Sequence, residues 1–196
     1  MTRFTVATLV GSLRKESCNL RLAKAIAALG KDRFDATVLE IGDLPLYNQD
    51  IENPLPAPVA RLKKEIQEAD ALLFVTPEFN RSIPGPLKNA IDWASRPYGA
   101  SAFAGKPGAV CGTSPGAIGT ACAQQALRPV LGYLDIAVMG QPEVYFQFKD
   151  NAIDAQGVIA EESARAFLKG FVERYVEWVD GCLSCAAPDA RRTCCA

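Results

Sequence analysis

The sequence predicts an α/β protein of the doubly wound kind, a mainly parallel sheet of five strands with helices on both faces. Three observations carry this expectation. Short apolar, β-rich runs alternate with longer amphipathic stretches along the chain. The central run, Ala71–Thr76 (ALLFVT), is apolar almost throughout, as a strand covered on both faces must be. Three of the runs end in polar loops bearing glycine or proline that lead directly into helices, the place where open α/β sheets bind ligands.

The first strand is Arg3–Val10, and it stops at Gly11-Ser12. Helical spacing follows over Asn19–Leu29, where Leu20, Leu22, Ala23, Ile26, Ala27 and Leu29 share one broad face, with Gly30 as C-cap. The second strand is Phe34–Ile41. The Pro- and Asn-rich stretch Gly42–Pro58 is longer than a plain connection requires and reads as a functional loop. Val59–Glu68 is the second helix and Ala71–Thr76 the third strand. The loop Pro77–Ile83 (PEFNRSI) precedes a helix that opens near Pro84 and runs through LKNAIDWAS. Proline suits a first turn because its missing N–H would have had no helical partner.

Gly108–Cys111 is the fourth strand, Gly112–Gly119 (GTSPGAIG) its loop and Thr120–Leu131 the fourth helix. A fifth strand lies near Ile136–Met139, with a continuation at Val144–Phe148. Ala160–Val179 is a covering helix with an apolar stripe at Phe167, Leu168, Phe171, Val172, Tyr175, Val176 and Val179. Residues 1–180 thus read as one domain. The remainder, 181–196 (GCLSCAAPDARRTCCA), has no periodicity and is expected to be a loose cysteine-bearing tail.

Composition narrows the chemistry. The chain has 196 residues, 49% hydrophobic and 22% charged, enough to bury roughly 70% of its unfolded surface without a disulfide or metal staple. A net charge of −1 gives no footprint for nucleic acid or an anionic membrane. No apolar run approaches the roughly 20 residues that span a bilayer, and the start is too briefly apolar for a signal peptide. A cytoplasmic location follows as an expectation, with the 7 cysteines as reduced thiols. Histidine is absent, which removes Ser-His-Asp and Cys-His nucleophiles and imidazole zinc sites. No metal site and no catalytic side chain is expected; the hard chemistry of an enzyme like this belongs to a bound cofactor.

Three loops carry the candidate site. The first, Gly11–Asn19, offers the hydroxyls of Ser12 and Ser17, the guanidinium of Arg14, the amide of Asn19 and the N-terminus of a helix, a mixture that suits a phosphate dianion. The same residues would also make a Ser/Asn-capped helix with a solvated Arg-Lys pair. The second, Thr76–Gly85, places backbone N–H groups and the Asn80 amide where they could face a flat heterocycle; it reads equally as a strand-to-helix turn. The third, Thr113-Ser114-Pro115-Gly116, is small enough for close approach of a ligand to the backbone, and by itself reads as helix capping. Cys111 and Cys122 read as core thiols.

Together, GSLRKxSxN after the first strand and PEFNRSIPGPLKNAIDWASRP after the third resemble the NADPH-dependent FMN reductase family, which includes bacterial quinone and chromate reductases. The resemblance spans roughly residues 3–175. It implies a flavodoxin-like three-layer sandwich with strand order 2-1-3-4-5, FMN held without a covalent bond, and NADPH or NADH as co-substrate. It further implies that Ser12, Arg14, Ser17, Asn19 and Leu20 hold the FMN phosphate, and that Pro77, Glu78, Phe79, Asn80 and Ser82 lie against the isoalloxazine ring with Ser114 touching the flavin. Phe79 stands where the family often has Tyr. Arg81 stands where some relatives carry Tyr, at the cleft mouth, where it would tune which acceptors enter.

The activity so implied is reduction of a small-molecule acceptor (a quinone, a flavin, an azo compound or chromate) by ping-pong hydride transfer through FMN. The resemblance also implies a homodimer or homotetramer, with Arg96, Tyr98 and Glu143 at the subunit boundary. The alternative is a flavodoxin-like electron carrier without turnover of its own. Such carriers are usually strongly acidic, and the near-neutral balance argues against one.

Overall fold

Side chains on a strand alternate between two faces, and here both faces are apolar. The structure, a computed structural model, describes residues 3–149 and 151–186. Its elements are β1 (Phe4–Val10), α1 (Cys18–Gly30), β2 (Phe34–Val38), α2 (Ala57–Glu68), β3 (Ala71–Val75), α3 (Gly85–Ala94), β4 (Pro107–Ser114), α4 (Ala121–Tyr133), β5 (Ala137–Val138), β6 (Val144–Gln147) and α5 (Glu162–Ala186). The strands are parallel, in the order β2-β1-β3-β4-β5, with β6 also paired to β4.

Phe4, Val6 and Val10 of β1 and Ala71, Leu73 and Val75 of β3 face a core closed by α1 and α5. Their neighbours Ala7, Leu9, Leu72 and Phe74 face a second core closed by α2, α3 and α4. The result is the flavodoxin-like three-layer arrangement with helices on both faces. On the first face Phe4 and Phe34 stack at 5.5 Å, and Tyr175 meets both edge-on. The Tyr175 hydroxyl, fully buried, donates to the Leu72 carbonyl at 2.9 Å, so its polar end is satisfied inside the sheet.

Several expectations shift in detail. The fifth strand position is split in two: β5 pairs with Pro107 and Gly108 at the start of β4, and β6 pairs with Cys111–Ser114 at its end. That second pairing extends β4 through Gly112, Thr113 and Ser114, which the local pattern assigns to loop. Gly30 is not a left-handed cap but the last helical residue. Its lack of a side chain is needed because a Cβ there would overlap the ring of Phe34. Phe167 is 44% exposed and lies off the buried stripe, one residue round the helix from the fully buried Leu168. Cys122 is half-buried rather than core, whereas Cys111 is fully buried, which pushes its thiol far above the ordinary range. Helix α5 continues to Ala186, so the stretch from Gly181 begins as helix; the rest of the expected tail lies outside the described residues. Among the described residues no helix is long and apolar enough to cross a membrane.

These contacts separate two glycines of similar helical setting. Gly30→Ala is expected to destabilise the fold by about 1–3 kcal/mol through overlap with Phe34. Gly170→Ala, in open space on α5, should stabilise it by about 0.5–1 kcal/mol. Urea midpoints of the two variants measure both, and equal shifts would show that the Phe34 contact does not constrain Gly30.

Candidate active site

The three loops meet at the carboxyl edge of β1, β3 and β4. The first runs from Gly11 to Ser17. Ser17 caps α1, its Oγ accepting the N–H of Leu20 at 3.2 Å, which leaves its hydroxyl proton free to donate. Ser17 and Asn19 are buried, Ser12 and Leu20 half-buried, and Arg14 exposed. Among the described residues, no hydrogen bond uses the backbone N–H of any residue from Ser12 to Asn19. The first turn of α1 holds no acidic side chain, and the neighbouring Glu16 is paired with Arg21 at 2.6 Å. An electropositive row of unspent donors therefore leads into the positive end of a helix. Ser12, Arg14 and Leu20 line a cavity of about 500 Å³ that continues against Leu39–Asp43 beyond β2.

Asn19 has another duty in the protein. Its Nδ2 donates to the Thr113 carbonyl at 2.9 Å and its Oδ1 accepts the Thr113 N–H at 3.0 Å. This two-point bond ties the start of α1 to the end of β4. One amide N–H and the amide oxygen of Asn19 are thereby spent on the fold, and its backbone N–H stays among the donors at the start of α1. The tie joins residues 94 apart, and nothing local in the sequence marks Thr113 as the partner.

The second loop is a tight hairpin. Phe79 and Ser82 exchange backbone hydrogen bonds at 3.1 and 2.9 Å. Asn80 (φ 51°) and Arg81 (φ 64°) between them are both left-handed, the geometry of a type I′ turn. Asn tolerates this conformation readily; Arg does so at a cost, and such residues concentrate at functional sites. Glu78, whose side chain is 11% exposed, points the other way, and its Oε2 accepts the N–H of Ala123 in the first turn of α4 at 3.1 Å. Its carboxylate thus caps α4. Pro77 is half-buried and packs with Pro84 against Gly11, where a Cβ would lie 3.0 Å and 2.8 Å from their rings. Phe79, Asn80 and Ser82 are exposed at the edge.

The third loop begins at Ser114, whose Oγ accepts the Gly116 N–H at 3.1 Å. Before it, Gly112 passes so close to the Thr76 carbonyl and Thr120 Oγ1 that a Cβ would overlap both. The requirement is invisible in the sequence, where Gly112 looks like ordinary loop punctuation. All three loops are therefore joined: first to third through Asn19 and Thr113, first to second through Gly11, second to the helix after the third through Glu78. The long stretch after β2 joins as well, pinned to α3 by its Pro45 carbonyl, which accepts from Asn89 Nδ2 at 2.9 Å and Trp93 Nε1 at 2.8 Å.

A doubly wound sheet whose strand order turns back beside β1, with a donor-rich loop there and a rigid hairpin after β3, defines a protein of the flavodoxin-like mononucleotide-binding class. The chain belongs to the NADPH-dependent FMN reductase family, whose model matches residues 4–151. It is 52% identical over 174 residues to a 2-hydroxy-1,4-benzoquinone reductase of a Burkholderia species, covering 89% of this chain and 95% of that protein. It is 49% identical over 177 residues to a quinone reductase of Pseudomonas putida, covering 90% and 95%. Among solved structures it is similar to FerB, a flavoenzyme NAD(P)H:acceptor oxidoreductase of Paracoccus denitrificans, with a TM-score of 0.88, 48% identity and coverage of 91% and 98%.

Replacing Asn19 by Ala would strip both bonds from the Thr113 peptide, whose surroundings are buried. The expected cost is about 2–4 kcal/mol, read from urea unfolding. A change below about 0.5 kcal/mol would mean the tie does not hold the loops together.

Proposed function

We propose that this protein is an NAD(P)H-dependent oxidoreductase that holds FMN and reduces quinones or related small acceptors. The observation that carries this reading is the run of backbone N–H groups from Ser12 to Asn19 at the start of α1, unshared among the described residues and flanked by two serine hydroxyls and the exposed guanidinium of Arg14. These residues fit a phosphate monoester: many short donors, one mobile positive charge and no competing carboxylate in the first helical turn. The identity to quinone reductases over nine-tenths of the chain favours an enzyme over an electron carrier.

When bound, FMN supplies hydride chemistry between a reduced nicotinamide and an acceptor. The chain supplies placement. Ser12, Arg14, Ser17 and the backbone N–H of Asn19 would hold the phosphate, with Leu20 beside it. Pro77, Glu78, Phe79, Asn80 and Ser82 orient the ring, with the left-handed turn at Asn80-Arg81 fixing the hairpin so that little is reorganised on binding. Glu78 does so indirectly, by locking the loop to α4. Ser114 closes the site from β4. Protons would come from solvent at the carboxyl edge of the sheet. One crevice serving two substrates in turn requires that the oxidised nicotinamide leave before the acceptor enters.

The protein is further read as cytoplasmic and as a homodimer or homotetramer. Tyr98 (85% exposed) and Tyr133 (80% exposed) flank a groove of about 730 Å³ at the C-terminal ends of α3 and α4, an apolar surface of the kind that copies cover.

The purified protein is expected to be yellow, to release FMN on denaturation and to give parallel-line initial-rate plots with NADPH and a quinone. Intersecting lines would require both substrates at once and defeat the alternating order. Arg14→Glu should fold normally and lose about tenfold or more in FMN affinity, because it replaces a charge-assisted bond by repulsion. Undiminished flavin content would move the phosphate away from this loop.

A further inference from the structure

We propose that Arg81 makes this enzyme selective for acceptors that carry a negative charge on the quinone ring, with an ionised hydroxyquinone as the substrate class. The inference rests on the quinone-reductase reading above and specifies its acceptor.

Arg81 is the second central residue of the hairpin between Phe79 and Ser82, at φ 64°. A type I′ turn favours glycine at this position, because glycine alone adopts it freely. The turn holds the Arg81 backbone at the tip of the second loop, next to the first turn of α4: its Nη1 lies 4.0 Å from Cys122 Sγ and 3.9 Å from Glu78 Oε1. The Glu78 carboxylate does not consume the guanidinium. Its other oxygen is bonded to the Ala123 N–H, it is 11% exposed, and the contact to Arg81 is long. The Arg81 side chain is 73% exposed and keeps its donor fork. Phe79, two residues back on the same hairpin, is 56% exposed. An aromatic face and a planar cation are thus presented together on the hairpin at the carboxyl edge of the sheet.

That pairing suits a flat anion. The hydroxyl of a 2-hydroxyquinone is a vinylogous carboxylic acid, ionised near neutral pH, and its charge spreads over coplanar oxygens that match a guanidinium fork. A neutral quinone offers the fork only uncharged carbonyl acceptors, which it holds more weakly. In the balanced reaction the hydroxyquinone anion gains the hydride that leaves NADPH and two protons from solvent, giving a neutral benzenetriol and NADP⁺. The negative charge that Arg81 recognises is therefore gone from the product, which favours release.

The experiment compares holoenzymes of the wild type, Arg81→Gln, Arg81→Lys and Arg81→Gly, each with its FMN content measured, on 2-hydroxy-1,4-benzoquinone and on 1,4-benzoquinone. With Arg81→Gln, kcat/KM for the hydroxyquinone should fall about three- to fivefold, and that for benzoquinone should change less than twofold, the scale of one solvent-exposed charge contact. Arg81→Lys should keep most of the preference. Arg81→Gly satisfies the turn and should still lose it, which separates the charge from the backbone. The wild-type preference should shrink as salt rises. Equal losses on both acceptors, an unchanged ratio, or a preference that survives Arg81→Gly would each overturn the proposal. So would a loss confined to the NADPH-to-NADH ratio, which would assign Arg81 to the nucleotide phosphate. If the wild-type holoenzyme reduces neither quinone, the underlying functional reading fails, a result distinct from normal benzoquinone turnover with no preference.

Discussion

Burial of β3 on both faces is the constraint from which the rest follows. Its five residues, Ala71 to Val75, are without solvent exposure. A strand in that position must have its neighbours parallel and helices on each side, because a parallel pair is joined only by crossovers that lay helices on the sheet. One crossover direction places α1 and α5 on one face and the other places α2, α3 and α4 opposite. The chain order then turns back between β1 and β3. The loops after those strands diverge to opposite faces and leave a crevice between them, so the position of the site is a consequence of how the centre of the sheet is covered.

The loops at that crevice divide their labour by how they spend their hydrogen bonds. The second and third are largely self-satisfied: Phe79 with Ser82, Ser114 with Gly116, Glu78 with Ala123. The first is held by packing of Gly11 on two prolines and by the Asn19–Thr113 tie, while its own backbone donors stay unspent. Rigid neighbours around a donor-rich loop leave little ordering to be done if a ligand binds there. The same economy explains how this chain works without histidine. With the redox chemistry residing in the cofactor, the chain has to place groups rather than exchange protons.

Beyond the crevice, polar groups are used as fasteners. Lys63, largely buried, donates to the carbonyls of Ala94, Arg96 and Ala100 and so fixes the turn after α3; burial lowers its pKa. Trp93 and Asn89 hold the Pro45 carbonyl, which turns the long stretch after β2 from an open loop into a strap across α3. In each of these fasteners the side chain satisfies a backbone carbonyl that would be costly to bury unpaired.

The order and type of the main elements, apart from the split of the fifth strand into two, were legible in the sequence, because apolar periodicity is a local property of the chain: the short run ALLFVT between turn signals reads as a doubly covered strand, and the stripe from Leu168 to Val179 as one face of a helix. The three site loops were legible for the same reason, as polar punctuation after strands. What the sequence could not contain is partnership across distance. That Asn19 binds the Thr113 peptide, that Gly30 yields to Phe34 and Gly112 to Thr76 and Thr120, that Glu78 caps α4, and that β4 extends to Ser114 by pairing with β6 all depend on which surfaces meet once the sheet closes. Local pattern determined the elements and the loops that bear the chemistry; long-range packing alone decided which of their groups are spent on the protein and which remain for a ligand.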